Sequence, residues 1–246
     1  MKRALRIVIA VTVLLVALQP VMAQNFMIKQ KSHTDETKMM GQTEPATDVI
    51  QTLWFTKDAI ATVDEGATVI TDLKNKKIIA IDHTEKTYTE MPMDFGMGEG
   101  DEEEAGGMAA MMRGLMKSEV SVEPTGEKRK VGKWNCKGYK FTLKTVMGPL
   151  TQIMYATKDT DMDADAYRQH MTAAMVMFPG LKDKMKEVTK EMKKIKGVVV
   201  RTEVEMKVMG SSMKSYTEVL EIKKGKAPAG TFKIPAGYKE QSGFGM

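Results

Sequence analysis

Cysteine occurs once in the 246 residues, at Cys136. One thiol excludes a disulfide framework and every zinc or iron–sulfur site that takes two to four thiolates from a single chain. Eight prolines and 20 glycines are too few for a fibrous or linker-dominated protein. Beyond the N-terminus there is no long apolar run, which excludes a polytopic membrane protein. Catalytic signatures are absent as well: the chain has no Gly-x-Ser-x-Gly elbow, no His-Glu-x-x-His and no phosphate loop. Only His33, His83 and His170 are available as imidazole bases. The reading is a protein that is not an enzyme.

What is present begins with a leader. Lys2, Arg3 and Arg6 precede an apolar core from Ile7 to Leu18, Pro20 breaks it, and Val21-Met22-Ala23 offers small or apolar residues before a cleavage point. Residues 1–23 are expected to be a cleavable signal peptide that exports the chain to the periplasm. The core is shorter than the roughly 20 apolar residues of a membrane span, and no cysteine follows it for lipid attachment. Removing the leader takes three of the 37 basic residues and none of the 32 acidic ones, so 34 face 32. That balance gives no basic footprint for nucleic acid. An exported, unpaired Cys136 is expected to be buried as a small hydrophobe.

The remaining 24–246 reads as one domain, with hydrophobic residues at 42% and charged at 28% of the chain. From Asn25 to Tyr155 the apolar residues alternate as in half-buried strands, in Phe26–Lys29, Ile50–Phe55 and Ala67–Leu73 among others. Lys74-Asn75-Lys76 and Asp82–Lys86 are polar hairpin tips, and Pro92 ends the strand begun at Thr87. This predicts an antiparallel meander. Residues 94–107, rich in Gly and Glu, are expected to be a flexible insertion, followed by a short Met-rich helix over Met108–Lys117. Between Val131 and Met147 the apolar phase changes at Gly138-Tyr139, predicting a β-bulge there.

Two amphipathic helices come next. Tyr167, Met171, Met175 and Phe178 mark the first, Pro179-Gly180 breaks it, and Leu181, Met185, Val188, Met192 and Ile195 mark the second. Asp161, Asp163 and Asp165 look like a calcium loop, but Ala166 and Thr172 stand where that loop needs Gly and Glu, so they read as helix-start acids. Strands resume over Val198–Val208 and Met213–Ile222. The total is about ten strands with two or three helices.

The run Ile70-Thr71-Asp72-Leu73 through Ile79-Ala80-Ile81-Asp82-His83 to Lys86-Thr87-Tyr88-Thr89-Glu90-Met91, with the closing Phe232-Lys233-Ile234-Pro235-Ala236-Gly237-Tyr238, resembles a family of bacterial exported proteins of unknown function. That family is similar to the LolA and LppX lipoprotein-carrier superfamily. The resemblance implies a mainly β (α+β) fold, a curved antiparallel half-barrel whose concave face is covered by the helices and holds acyl chains. It implies no catalytic residues. This chain lacks the lipid-attachment cysteine of the LppX-like proteins.

The expected function is therefore an exported binding protein for a lipid or acyl chain, working as a monomer, with a membrane surface or lipoprotein as possible partner and no cofactor or bound metal. Trp54, Phe141, Met175, Met185, Val204 and Met206 are expected to line the cavity. Two alternatives stay open. One is a structural or interaction protein of the same fold with a filled concavity. The other uses the 24 methionines: Met91, Met93, Met97, Met108, Met111 and Met112 are soft thioether ligands for Cu(I), against the plainer role of Met as adaptable apolar filler.

Overall fold

The computed structural model describes residues 25–39, 42–93, 119–145, 148–174, 184–208 and 211–241. The expected leader, the insertion at 94–107, the helix over Met108–Lys117 and the break at Pro179-Gly180 lie outside the described residues.

Among the described residues the structure is mainly β, one large curved sheet that does not close, with two helices. The strands are β1 Phe26–Thr34, β2 Thr37–Met39, β3 Gln42–Glu44, β4 Thr47–Phe55, β5 Ala59–Val63, β6 Ala67–Asp72, β7 Lys77–Asp82, β8 Thr87–Pro92, β9 Glu119–Val131, β10 Trp134–Thr145, β11 Gly148–Thr157, β12 Val198–Val208, β13 Ser211–Lys224 and β14 Lys239–Glu240. The helices are α1 Ala164–Ala174 and α2 Met185–Met192. Twelve strands run in the order β14-β8-β7-β6-β5-β4-β1-β13-β12-β11-β10-β9, and β2-β3 form a separate hairpin.

The expected antiparallel meander is present up to Pro92 as β1-β4-β5-β6-β7-β8, and β9–β13 form a second one that joins it where β13 pairs with β1. The strands exceed the expected ten because the short β2, β3 and β14 and the long β9 carry little apolar alternation. The β9 stretch Glu123–Lys130 is exposed, and only Val120, Val122 and Val131 are buried. Charge and Pro124 are tolerated there because β9 is an edge strand of the sheet.

The turns behave as their residues require. In both hairpins an aspartate at the end of a strand accepts backbone N–H groups of the turn, Asp72 from Asn75 and Asp82 from Thr84 and Glu85. Lys76 and Lys86 then take positive φ, at 52° and 55°. The β9–β10 hairpin turns on Gly132-Lys133, with Gly132 at φ 52°.

Curvature comes from a row of irregularities. Register shifts fall between Lys137 and Tyr139, between Tyr155 and Ala156, and between Lys29 and Gln30. Gly138 opposes Tyr155, Tyr155 opposes Arg201, Arg201 opposes Glu218, and the adjacent Val219 opposes Gln30. The shifts therefore cross the sheet at one height and bend it there. The bulge predicted at Gly138 is present, and a Cβ on Gly138 would lie 2.3 Å from Thr125 Oγ1. Trp134 and Cys136 belong to one core cluster, with Phe26, Ile28, Phe55 and Tyr167, while Tyr139, Phe141 and Leu143 belong to another, with Met154, Val188 and Met192. Cys136 is buried as expected, and burial pushes its thiol pKa up.

Candidate ligand site under the helices

Each helix covers one of these clusters. Asp163 begins α1 by accepting the N–H groups of Asp165 and Ala166 at 2.8 and 2.9 Å, and Asp165 sits in the first turn, so the helix-start reading holds for these two acids. Tyr167 and Met171, four residues apart, then face the cluster around Phe26 and Phe55. Tyr167 donates to the Val199 carbonyl at 3.5 Å, and burial drives its phenol far above the usual range. The ring nitrogens of His170 face two carbonyl oxygens, Ala166 at 2.8 Å and Thr56 at 2.7 Å, tying α1 to the end of β4.

On α2, Val188 and Met192 are buried against Phe141 and Tyr139. Glu191 shares that buried side and accepts the Val122 N–H at 2.7 Å. A short turn then leads to Gly197, at φ 114°, where a Cβ would sit 2.0 Å from the Thr157 carbonyl oxygen. Only glycine lets the chain pass this close on its way into β12.

Between α1, α2 and the sheet lies an apolar cavity of about 60 Å3, lined by Met154, Met171, Met192, Ile195 and Val199 among others. A second pocket of about 220 Å3 abuts it across Arg168 and Gly197, and its charged residues are Lys158, Arg168 and Lys196. Beyond Lys158 and Thr160 an open cleft of about 600 Å3 continues past Trp134, Lys133, Lys223 and Lys224, with Asp159 and Asp161. Arg168 bonds to Asp165 through Nη1, while its Nε is buried without a partner among the described residues.

The residues expected to line one cavity do not all meet. Phe141 is buried under α2, and Val204 lies on the same face, since Phe141 opposes Gln152 and Gln152 opposes Val204. Met185 opens α2 and is half-buried. Met206 opposes Met213 in the β12–β13 ladder, Met175 lies outside the described residues, and the Met206 side chain does too. Trp54 is out of phase with its neighbours. Leu53 and Phe55 pack in the cluster under α1, whereas Trp54 points to the opposite face and packs with Ala61, Ile70, Ile79 and Ile81. That face is covered by the C-terminal segment, through Phe232, Ile234 and Tyr238. His83 holds the segment in place, bonded to Thr68 Oγ1 at 2.9 Å and to the Tyr238 hydroxyl at 3.0 Å.

The face opposite the helices carries a polar network further along. Tyr216 stacks on His33 and lies under the Arg201 guanidinium, which pairs with Glu203 and Glu218. His33 bonds to Asp48 at 2.7 Å and Asp35 at 3.0 Å, and these carboxylates, Asp48 first, raise its pKa.

The matched family is described as a domain of unknown function, DUF4412, and its model spans residues 21–238. The chain belongs to the DUF4412 family. The match takes in every described strand except β14 and both helices. No curated protein matches the chain.

Proposed function

We propose that this DUF4412 protein is a non-enzymatic binding protein of the periplasm, a half-barrel of LolA-like type that holds a lipid or other apolar chain between its sheet and α1 and α2. The observation that carries the reading is the apolar cavity at that junction, walled on three sides by Met154, Met171 and Met192. Thioether side chains are flexible and polarizable, so such walls re-pack around ligands of different shape. Two further features support it. Both helices are short and touch the sheet through a few bonds, the His170–Thr56 and Glu191–Val122 contacts among them. And each histidine has both ring nitrogens engaged in contacts that tie parts of the fold together, His33 by carboxylates, His83 by hydroxyls and His170 by carbonyls.

The cavity volume favours a second reading. About 60 Å3 is well below the roughly 300–1,000 Å3 of ordinary ligand sites, as expected of a structural or interaction protein whose helices fill the concavity. Native mass spectrometry of protein recovered from the envelope of an expressing bacterium separates the two. Co-purifying lipid supports the carrier. Ligand-free protein that also ignores fluorescent fatty acids supports the filled domain.

A further inference from the structure

We propose that the ligand is a single-chain amphiphile with an anionic head, carboxylate or phosphate, seated at Arg168, Lys158 and Lys196 with its tail in the methionine cavity. This rests on the lipid-binding reading above and specifies its head group.

The charge arrangement carries the argument. The pocket abutting the apolar cavity is lined by three cations and no carboxylate. Arg168 stands on the boundary, lining both spaces, and Gly197 is the other residue they share. A guanidinium nitrogen taken out of water without an acceptor is costly, by about 1–3 kcal/mol or more, and Arg168 Nε is such a donor among the described residues. Its Nη1 is occupied by Asp165, which is itself solvent-exposed. An anion in the pocket would give Nε its acceptor while the guanidinium fork remains suited to two oxygens of one head group. Lys196 lines the pocket, and its ammonium, which donates to the Lys193 carbonyl at 2.8 Å, has further N–H groups to offer. Lys158 lines the pocket and the outer cleft alike, so the approach from solvent is also basic, with Lys133, Lys223 and Lys224. Of the two acids in that cleft, Asp159 accepts from Asn135 N and Nδ2, both at 3.1 Å. The neutral chain end and the charged head thus have separate, adjoining compartments.

Titration calorimetry with the full chain, using dodecanoate, dodecyl phosphate, dodecanol and dodecyltrimethylammonium below their aggregation limits, tests this. Both anions are expected to bind about tenfold tighter than dodecanol, from one charged hydrogen bond gained, and the cation weakest. The tighter anion identifies the head. R168Q and K196Q are each expected to shrink the preference for the anions over dodecanol about tenfold. Lys196 is exposed, so K196Q keeps the test valid even where R168Q disturbs α1. Equal affinity for all four probes, or an anion preference unchanged in both variants, overturns the anionic head and leaves lipid binding standing. Failure of every probe to bind overturns the lipid reading, and this proposal with it.

Discussion

Glu191 on α2 accepts the backbone N–H of Val122 in β9 at 2.7 Å, and the Lys194 ammonium bonds to the same carboxylate at 2.7 Å. Edge strands leave a row of unpaired backbone groups open to other chains. Here a buried carboxylate takes one of them and fastens α2 over the end of the sheet. The Lys194 hydrogen bond, with the Val122 N–H assisting, holds the Glu191 carboxyl below its usual pKa of 4.5.

Replacing Glu191 by Ala strands the Val122 N–H under the helix, at a cost of about 1–3 kcal/mol in urea unfolding. The pH dependence follows from the sign of the shift. A depressed folded-state pKa adds stability above the ordinary carboxyl range and loses it as pH falls through the folded value. The stability gap between wild type and E191Q is therefore full above pH 4.5 and shrinks below it. A gap that stays constant into acid contradicts the assignment.

Gly138→Ala sets a methyl against Thr125 Oγ1 at the bulge. Overpacking of this kind costs about 1–3 kcal/mol. Thr125→Ala in the same chain removes the clashing oxygen and restores part of the loss, which a double-mutant cycle measures as coupling. Additive effects of the two substitutions count against the contact.

Tyr238→Phe and His83→Ala each release the C-terminal segment from the β5–β8 face. Trp54 lies beneath it, so both variants are expected to show faster hydrogen exchange over 228–238 and red-shifted emission from Trp54. Since the chain holds only two tryptophans, a Trp134→Phe background isolates the signal. Unchanged exchange shows that the segment is held by its apolar contacts alone.

His33 is expected to titrate above its usual 6.5 in NMR, because Asp48 and Asp35 favour the imidazolium. D48N removes the larger cause and brings the midpoint down. With a raised folded-state pKa, the His33 contribution to stability is present below pH 6.5 and disappears as pH rises through the folded value.

Much of the fold is legible in local pattern. Apolar alternation marks β4 and β6 to β8, the polar residues of each hairpin tip mark their turns, the phase change at Gly138 marks the bulge, and Asp163 marks the start of α1. What is not legible is set by distant pairing. Nothing near Phe26 says that β1 will sit between β4 and β13, where Ser32 meets Thr217. Period-two reading also fails to tell one buried face from another. Leu53-Trp54-Phe55 is apolar throughout because β4 is covered on both sides, so Trp54 reads like a helix-facing residue although it packs beneath the C-terminal segment. Arg168 eludes the sequence for the opposite reason, since a charge beside an apolar stripe reads as solvent-facing and here lines the cavity.

The most direct test uses the methionines themselves. With 13C-methyl methionine labelling, titration with dodecanoate is expected to shift Met154, Met171 and Met192 together and saturably, while Met27 and Met91, outside this cavity, stay in place. Saturable binding that leaves those three methyls unmoved would contradict a ligand site beneath α1 and α2.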